Sequence, residues 1–488
     1  MDAIDHLAVH ERRVARDLAL LGFPPTAWTA AVTGPEGVPA LDVLVVGAGM
    51  YGVAAAAALL QKGLRNIQVV DAAPAGLEGP WVTYARMETL RSPKHLPGIP
   101  LGIPSLTFRA WYEARHGEAG WERLYKIPNA DWQDYILWVR RMLGIPVRNG
   151  VAVRRLVPSE GLVRAELATP AGEEVLHARR VVLATGRAGT GGPFVPPGIA
   201  RDLWPDRAAH TMEAIDFARL RGRRVAVLGA GASAWDNAAT ALEQGAASVE
   251  IFARRPHLPQ VNKGRGSAHM GFFEGWAELP AEEKWRLLVY MHDLQSPPPH
   301  ETVLRTIRHA GFRIRFSTPI LAAVRDGAGV RLTLPGGGST TADFLIVGTG
   351  FVVDAARIPE LGDLAAAVAT WANRHDPPPA LRRPGLARAP WLGPGFELEA
   401  REPATCPGLS RIHLFSHAAM ASLGAIASDI PGASVGAERL AQRIAARFFR
   451  EDIVAMRERL EAFAEPELES TPFFVPASLR GAWQTGAK

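Results

Sequence analysis

The run Leu41-Asp42-Val43-Leu44-Val45-Val46-Gly47-Ala48-Gly49-Met50-Tyr51-Gly52 decides how this chain folds. Its first six residues form an apolar stretch of the kind that parallel sheets bury. Glycines follow at 47, 49 and 52, and Met50 to Lys62 reads as an alanine-rich helix. Ile67-Gln68-Val69-Val70-Asp71 is the next strand and closes on an acid. Strand, glycine turn, helix, strand and terminal acid make a complete βαβ unit of the dinucleotide-binding type. Gly47 permits the tight turn, Gly49 lets the backbone approach a pyrophosphate, and Gly52 lets the helix close on the strand. The helix start then faces the phosphates. Asp71 would bond a ribose hydroxyl and repel a phosphate there, so this unit suits FAD or NAD rather than NADP.

The same logic returns in mid-chain. Arg224-Val225-Ala226-Val227-Leu228 leads into Gly229-Ala230-Gly231-Ala232-Ser233-Ala234, with a helix expected over Ala232 to Gln244. The following strand, Val249 to Ala253, ends in Arg254-Arg255 instead of an acid. Guanidinium groups at that position match a 2′-phosphate, so the second unit reads as an NADPH site. Two apolar strands end in Thr-Gly: Val181 to Thr185-Gly186 before the second unit, and Leu345 to Thr349-Gly350 after it. Their positions predict a nested layout.

We therefore expect an α/β fold with two Rossmann-like dinucleotide-binding domains, the NADPH domain inserted into the FAD domain. The expected boundaries are a helical extension and linker over 1–39, the first part of the FAD domain over 40–215, the NADPH domain over 216–340, and the rest of the FAD domain with C-terminal helices over 341–488. In the extension, Leu7, Val14, Leu18 and Leu21 recur at helical spacing, which predicts an amphipathic docking helix within 1–33.

Bulk composition narrows the function. A hydrophobic content of 48% with 21% charged residues is that of an ordinary globular chain. The net charge of +5, from 54 basic and 49 acidic residues, is too small and scattered to argue for nucleic acid. Cys406 is the only cysteine, so no structural disulfide and no redox-active cysteine pair can form within the chain. That suits a reducing compartment and excludes two-cysteine disulfide reduction. The N-terminus lacks the apolar core of a signal peptide, and the uncharged run Val43 to Leu60 is explained by strand, turn and helix rather than a membrane span. We expect a cytoplasmic enzyme with no membrane partner; homo-oligomerisation stays open.

The two fingerprints and Thr-Gly strands resemble the NADPH- and FAD-dependent flavoprotein monooxygenases (class B), most closely the ornithine- and lysine-type amino-acid N-hydroxylases. Arg91-Ser92-Pro93 followed by Leu106 to Tyr112 is similar to that group's Arg-Asp-Pro run and its aromatic helix. Ile127 to Tyr135, Leu258 to Asn262 and Gly348 to Phe351 resemble three further segments of the group. Trp81, in Gly79-Pro80-Trp81, stands where the wider group has a Gly-x-Trp turn beside the flavin ring. Two departures bear on the substrate. Asn129 replaces a usual arginine, and Ala85-Arg86 lies where a carboxylate-gripping lysine is expected, so ornithine or lysine is not implied.

The resemblance implies that NADPH reduces FAD, that O2 adds to give a C4a-hydroperoxyflavin, and that a nucleophilic substrate atom takes the distal oxygen. The flavin carries that chemistry, so no catalytic side chain and no metal are expected. The expected FAD contacts are Gly47, Gly49, Met50, Tyr51, Gly52, Asp71, Trp81, Thr185 and Gly186. The expected NADPH contacts are Gly229, Gly231, Ala232, Ser233, Ala234, Arg254, Arg255, Thr349 and Gly350. Arg86, Arg91, Lys94, Asn262 and Lys263 would form a basic cleft, with Ser428 and Asp429 closing over it. Such a cleft suits a small carboxylate-bearing amine oxygenated at nitrogen. Sulfur or Baeyer–Villiger oxygenation stays open as an alternative, and so does a flavin-binding redox sensor without turnover.

Overall fold

The computed structural model describes residues 5–402 and 405–476. Residues 1–4 of the N-terminal extension and 477–488 of the expected C-terminal helices therefore lie outside the described residues. The chain divides into two compact units, Met1–Ala445 and Ala446–Lys488. In the smaller unit, Ile453–Ala462 is helical. All that follows concerns the larger one.

Helix α1 (His6–Leu20) buries Val14 and Leu18. It stops well short of 33 because Gly22 takes a left-handed φ of 60° and Pro24 and Pro25 follow. Trp138 donates its indole N–H to Glu11 at 3.1 Å, tying this helix to the one over Asn129–Met142.

The next elements are β1 (Leu41–Val46), α2 (Met50–Gln61), β2 (Ile67–Asp71), α3 (Phe108–Arg123), α4 (Asn129–Met142), β3 (Val147–Asn149), β4 (Ala152–Pro158), β5 (Val163–Thr169) and β6 (Gly172–Leu183). They are followed by β7 (Ala208–His210), β8 (Arg224–Leu228), α5 (Ala232–Glu243), β9 (Ser248–Phe252), β10 (Phe312–Arg315), β11 (Ala322–Asp326), β12 (Gly329–Thr333), β13 (Ser339–Ala342), β14 (Phe344–Val347) and β15 (Ile412–Leu414).

The first sheet runs β3-β2-β1-β6-β5-β4, with β15 also paired to β6. β1 lies parallel to both β2 and β6. β6 is long enough to serve twice: its start pairs antiparallel with β5, its end parallel with β1 and β15. Asp42 stays buried within apolar β1 because it pairs with Arg179 of β6 at 3.5 Å and accepts from Thr29 at 2.7 Å. An unpaired carboxylate at that depth would be strongly destabilising. α2 is buried along nearly its whole length, Ala54 to Ala58 being at most 2% exposed. Alanine's small side chain is what lets a helix be enclosed on every face.

The second sheet, β10-β9-β8-β14-β7, is parallel throughout. β14 lies between β8 and β7, so this sheet needs strands at 208–210 and 344–347 and extends beyond 216–340 at both ends. A three-stranded antiparallel sheet, β11-β12-β13, leads back into β14. No helix among the described residues is long and apolar enough to cross a membrane.

Candidate active site

β1, β6 and β15 are parallel neighbours, so their carboxyl ends open on one edge of the sheet. That edge is where open α/β sheets receive ligands. The Gly47 turn leaves β1, Thr185-Gly186-Arg187 follows β6, and Ser416-His417 follows β15. At the turn, Gly47 has φ 102°, and a Cβ there would lie 2.6 Å from the Ala184 carbonyl oxygen. A Cβ on Gly52 would lie 1.8 Å from the carbonyl oxygen of Gly47. Gly49 faces Gly79, whose Cα is 3.6 Å from an ideal Cβ. Asp71 is held in place by the backbone N–H groups of Ala48 and Ala73, both at 2.7 Å.

This surface fits a dinucleotide. Helix α2 begins at Met50 with no side-chain cap, so its first N–H groups are available to phosphate oxygens. The Trp81 indole N–H, the Thr185 hydroxyl and the Asn129 amide oxygen are buried with no protein partner. Buried polar atoms ordinarily find partners, and a polar ligand here would supply them. Tyr51 is buried, packs edge-on against Phe415 with ring centroids 5.0 Å apart, and donates to the Asp429 carbonyl at 2.9 Å.

The second turn repeats the first with one exchange. A Cβ on Gly229 would lie 2.5 Å from the Gly348 carbonyl oxygen. The third fingerprint position is Ala234 rather than glycine, and glycine has moved to the opposing side: a Cβ on Gly348 would lie 2.7 Å from the Ala234 Cβ. Helix α5, starting at Ala232-Ser233, also lacks a side-chain cap, and Gly231 has open space beside it. Thr349 donates to the Phe194 carbonyl, and the Gly350 carbonyl accepts from the Phe194 N–H at 2.9 Å, which fixes this turn. The two arginines differ. Arg255 donates to the Asp293 carbonyl at 2.8 Å, whereas Arg254 is exposed and holds no such bond. Arg254 is therefore the better placed to meet a 2′-phosphate. Arg254→Ala should raise the KM for NADPH about 10- to 100-fold, the worth of one charged hydrogen bond, and leave that for NADH nearly unchanged. Steady-state kinetics with both cofactors would show it.

The residues expected to line a basic cleft have these partners. Lys94 donates to the Trp121 carbonyl at 2.8 Å, at the end of α3. Arg86 donates to the Thr83 carbonyl and stacks over Phe217 at 5.5 Å. Asn262 meets Ser296 at 3.3 Å, and Lys263 is exposed, 5.9 Å over the Tyr290 ring. Lys94, Arg86 and Asn262 are engaged locally, as side chains near loop carbonyls and aromatic faces tend to be, while Lys263 keeps its ammonium in solvent. No three His, Cys, Asp or Glu side chains gather as a metal site among the described residues.

Arg91 has a different partner. Its guanidinium lies 3.4 Å from Asp236 on α5, linking the segment after β2 to the second glycine-turn helix. Asp236 is buried, also accepts from Thr302 at 2.8 Å, and has its pKa raised by burial against the opposing pull of Arg91. A carboxyl whose folded pKa is raised binds more protons folded than unfolded. Its contribution to stability therefore falls as pH rises from 3.8 through the folded value. Arg91→Gln removes the opposing charge and raises that pKa further. The stability deficit of the variant should be small near pH 4 and grow toward neutrality, to about 1–2 kcal/mol, less than for a fully buried pair because Arg91 is half-exposed. Thermal melts across pH would show it.

Ser428 and Asp429 do come to the edge of the first sheet. Ser428 Oγ lies 2.7 Å from His417 Nδ1, and Asp429 Oδ1 lies 4.0 Å from Arg187. Burial and the Arg187 charge drive the His417 pKa well down, so the imidazole is neutral at pH 7. Burial raises the Asp429 pKa, with Arg187 opposing. Arg187 and His417 were not among the expected site residues. The signal for Arg187 was adjacency, since it is the next residue after Thr185-Gly186; His417 carried none beyond its place after an apolar strand.

Residues 41–270 match the pyridine nucleotide-disulphide oxidoreductase family model. The FAD-dependent urate hydroxylase of Xanthomonas campestris is 41% identical over 463 residues, covering 94% of this chain and 97% of its own. The chain belongs to that hydroxylase's family, the FAD- and NADPH-dependent monooxygenases. Among solved structures, the monooxygenase fold is shared with the ornithine N-hydroxylase of Kutzneria sp. 744, at TM-score 0.68 and 17% identity over 84% of this chain and 100% of that one. It is shared too with the L-lysine 6-monooxygenase of Pseudomonas syringae, at TM-score 0.62 and 18% identity over 84% and 99%. A monooxygenase needs no cysteine pair, and the single Cys406 is consistent with that.

Proposed function

We propose that this monooxygenase hydroxylates urate, or a planar heterocyclic anion like it, using NADPH and O2. The observation that carries the reading is the 41% identity to a urate hydroxylase across nearly the whole of both chains. FAD is assigned to the turn Gly47–Gly52 with Asp71, Trp81, Thr185 and Gly186, and NADPH to Gly229–Ala234 with Arg254. Bound FAD would supply the activated oxygen after reduction by NADPH. The chain's own residues position the substrate and keep water out. The half-exposed Arg187 offers a guanidinium to an anion, and His417, kept neutral by burial and the Arg187 charge, can hydrogen-bond a substrate without adding charge to the site. Tyr51 and Phe415, buried and packed edge to face next to Asp429, supply an apolar wall.

Nitrogen oxygenation of a carboxylate-bearing amine is the second reading. It is favoured by one geometric fact: Arg187 and Asp429, 4.0 Å apart, offer opposite charges to a carboxylate and an ammonium. The purified, FAD-loaded enzyme should be given NADPH with urate, xanthine, ornithine, lysine and a sulfide in turn. Urate-dependent NADPH consumption with a product one oxygen heavier supports the first reading. A hydroxylamine from an amine, with urate inert, replaces it with the second.

A further inference from the structure

We infer that Arg187 is the residue that recognises the substrate's anionic edge, and that Asp429 is its internal competitor. The inference rests on the anionic-substrate reading above and names the group that reads the charge.

Position comes first. Arg187 leaves the end of β6, the strand between β1 and β15, so it stands between the glycine turn on one side and Ser416-His417 on the other. Its donors are uncommitted. The guanidinium makes no hydrogen bond to protein among the described residues, and its ion pair with Asp429 is long, at 4.0 Å. Its side chain is 51% exposed and that of Asp429 is 45% exposed. Arginines held for structure look different here. Arg140 meets buried Glu78 at 2.7 Å, and Arg305 meets Glu243 at 2.7 Å. An arginine with five N–H donors in a rigid fork, unspent at the ligand edge of a sheet, is built to take a planar anion in two parallel hydrogen bonds.

Asp429 has a separate anchor. Its backbone carbonyl accepts from Tyr51, so the segment is fixed whether or not its carboxylate contacts Arg187. At 4.0 Å the carboxylate holds Arg187 only loosely. A substrate anion entering the site would take the guanidinium from it.

The two partners should then move substrate affinity in opposite directions, which a structural ion pair would not do. Tested on the FAD-loaded enzyme with urate, Arg187→Met should raise KM about 10- to 100-fold. Arg187→Lys should recover part of that loss, since it keeps the charge and loses the fork. Asp429→Asn keeps the shape, removes the competing charge, and should lower KM several-fold. Dissociation constants from urate-induced changes in the flavin spectrum provide the same comparison without turnover. KM rising in both Arg187→Met and Asp429→Asn, or unmoved in Arg187→Met, overturns the inference. If urate is inert and a carboxylate-bearing amine turns over, the urate reading fails. The Arg187 assignment is then decided by that amine's KM in Arg187→Met and Arg187→Lys alone, because Asp429 would there hold the ammonium.

Discussion

Gly52→Ala should yield protein that purifies without flavin. The new Cβ would lie 1.8 Å from the carbonyl oxygen of Gly47 and 2.7 Å from its carbonyl carbon. Neither side can yield cheaply. Gly47 is itself pressed against the carbonyl of Ala184, just after β6, where a Cβ would find only 2.6 Å. Gly52 lies in the first turn of α2, which is enclosed by buried side chains along its length. The helix must lift from the strand, and its first N–H groups move away from where a pyrophosphate would sit. We expect a cost of about 3 kcal/mol or more, at the upper end for single substitutions, because the clash is with backbone rather than a flexible side chain. The measurement is the flavin absorbance per mole of purified protein together with the melting temperature. Gly231→Ala is the matched control, since a Cβ there meets no protein atom within 4 Å and the fold should survive.

Gly348→Ala should disable the second turn, and Ala234→Gly should partly restore it. The Cβ added at Gly348 would lie 2.7 Å from the Ala234 Cβ and 3.2 Å from the Leu228 carbonyl oxygen. Removing the methyl of Ala234 relieves the first contact and leaves the second, so rescue is incomplete. The single change should cost about 1–3 kcal/mol, the usual range for overpacking. Ala234→Gly alone should cost about 1 kcal/mol, from glycine in a helix. The double variant should be more stable than the sum of the two, a coupling that only touching residues show. Thermal melts of the four proteins, with the KM for NADPH, complete the cycle.

These two turns also show what the sequence carries. Strand, glycines, helix and terminal residue of each βαβ unit are local, so their order alone announces them. The meaning of Ala234 is not local. It becomes intelligible only when β14 brings Gly348 against it, more than a hundred residues later in the chain. The partners of the expected cleft residues are not local either. Lys94 reads as an available cation until α3 presents the Trp121 carbonyl, and Arg91 reads as a substrate residue until α5 presents Asp236. Composition gives the number of charges, and only packing tells which are already paired. Ser428 and Asp429 were legible as a small-residue junction beside the site, yet what they do depends on His417 and Arg187, which strands β15 and β6 bring to the same edge.

The most direct test of the functional claim is a single turnover experiment with isotopically heavy O2. The FAD-loaded enzyme, NADPH and urate are mixed under the labelled gas, and product and water are analysed by mass spectrometry. A monooxygenase acting on urate predicts one heavy oxygen atom in each product molecule and one in water, with NADPH, O2 and urate consumed in equal amounts. Unlabelled urate remaining while all heavy oxygen appears as hydrogen peroxide would contradict it.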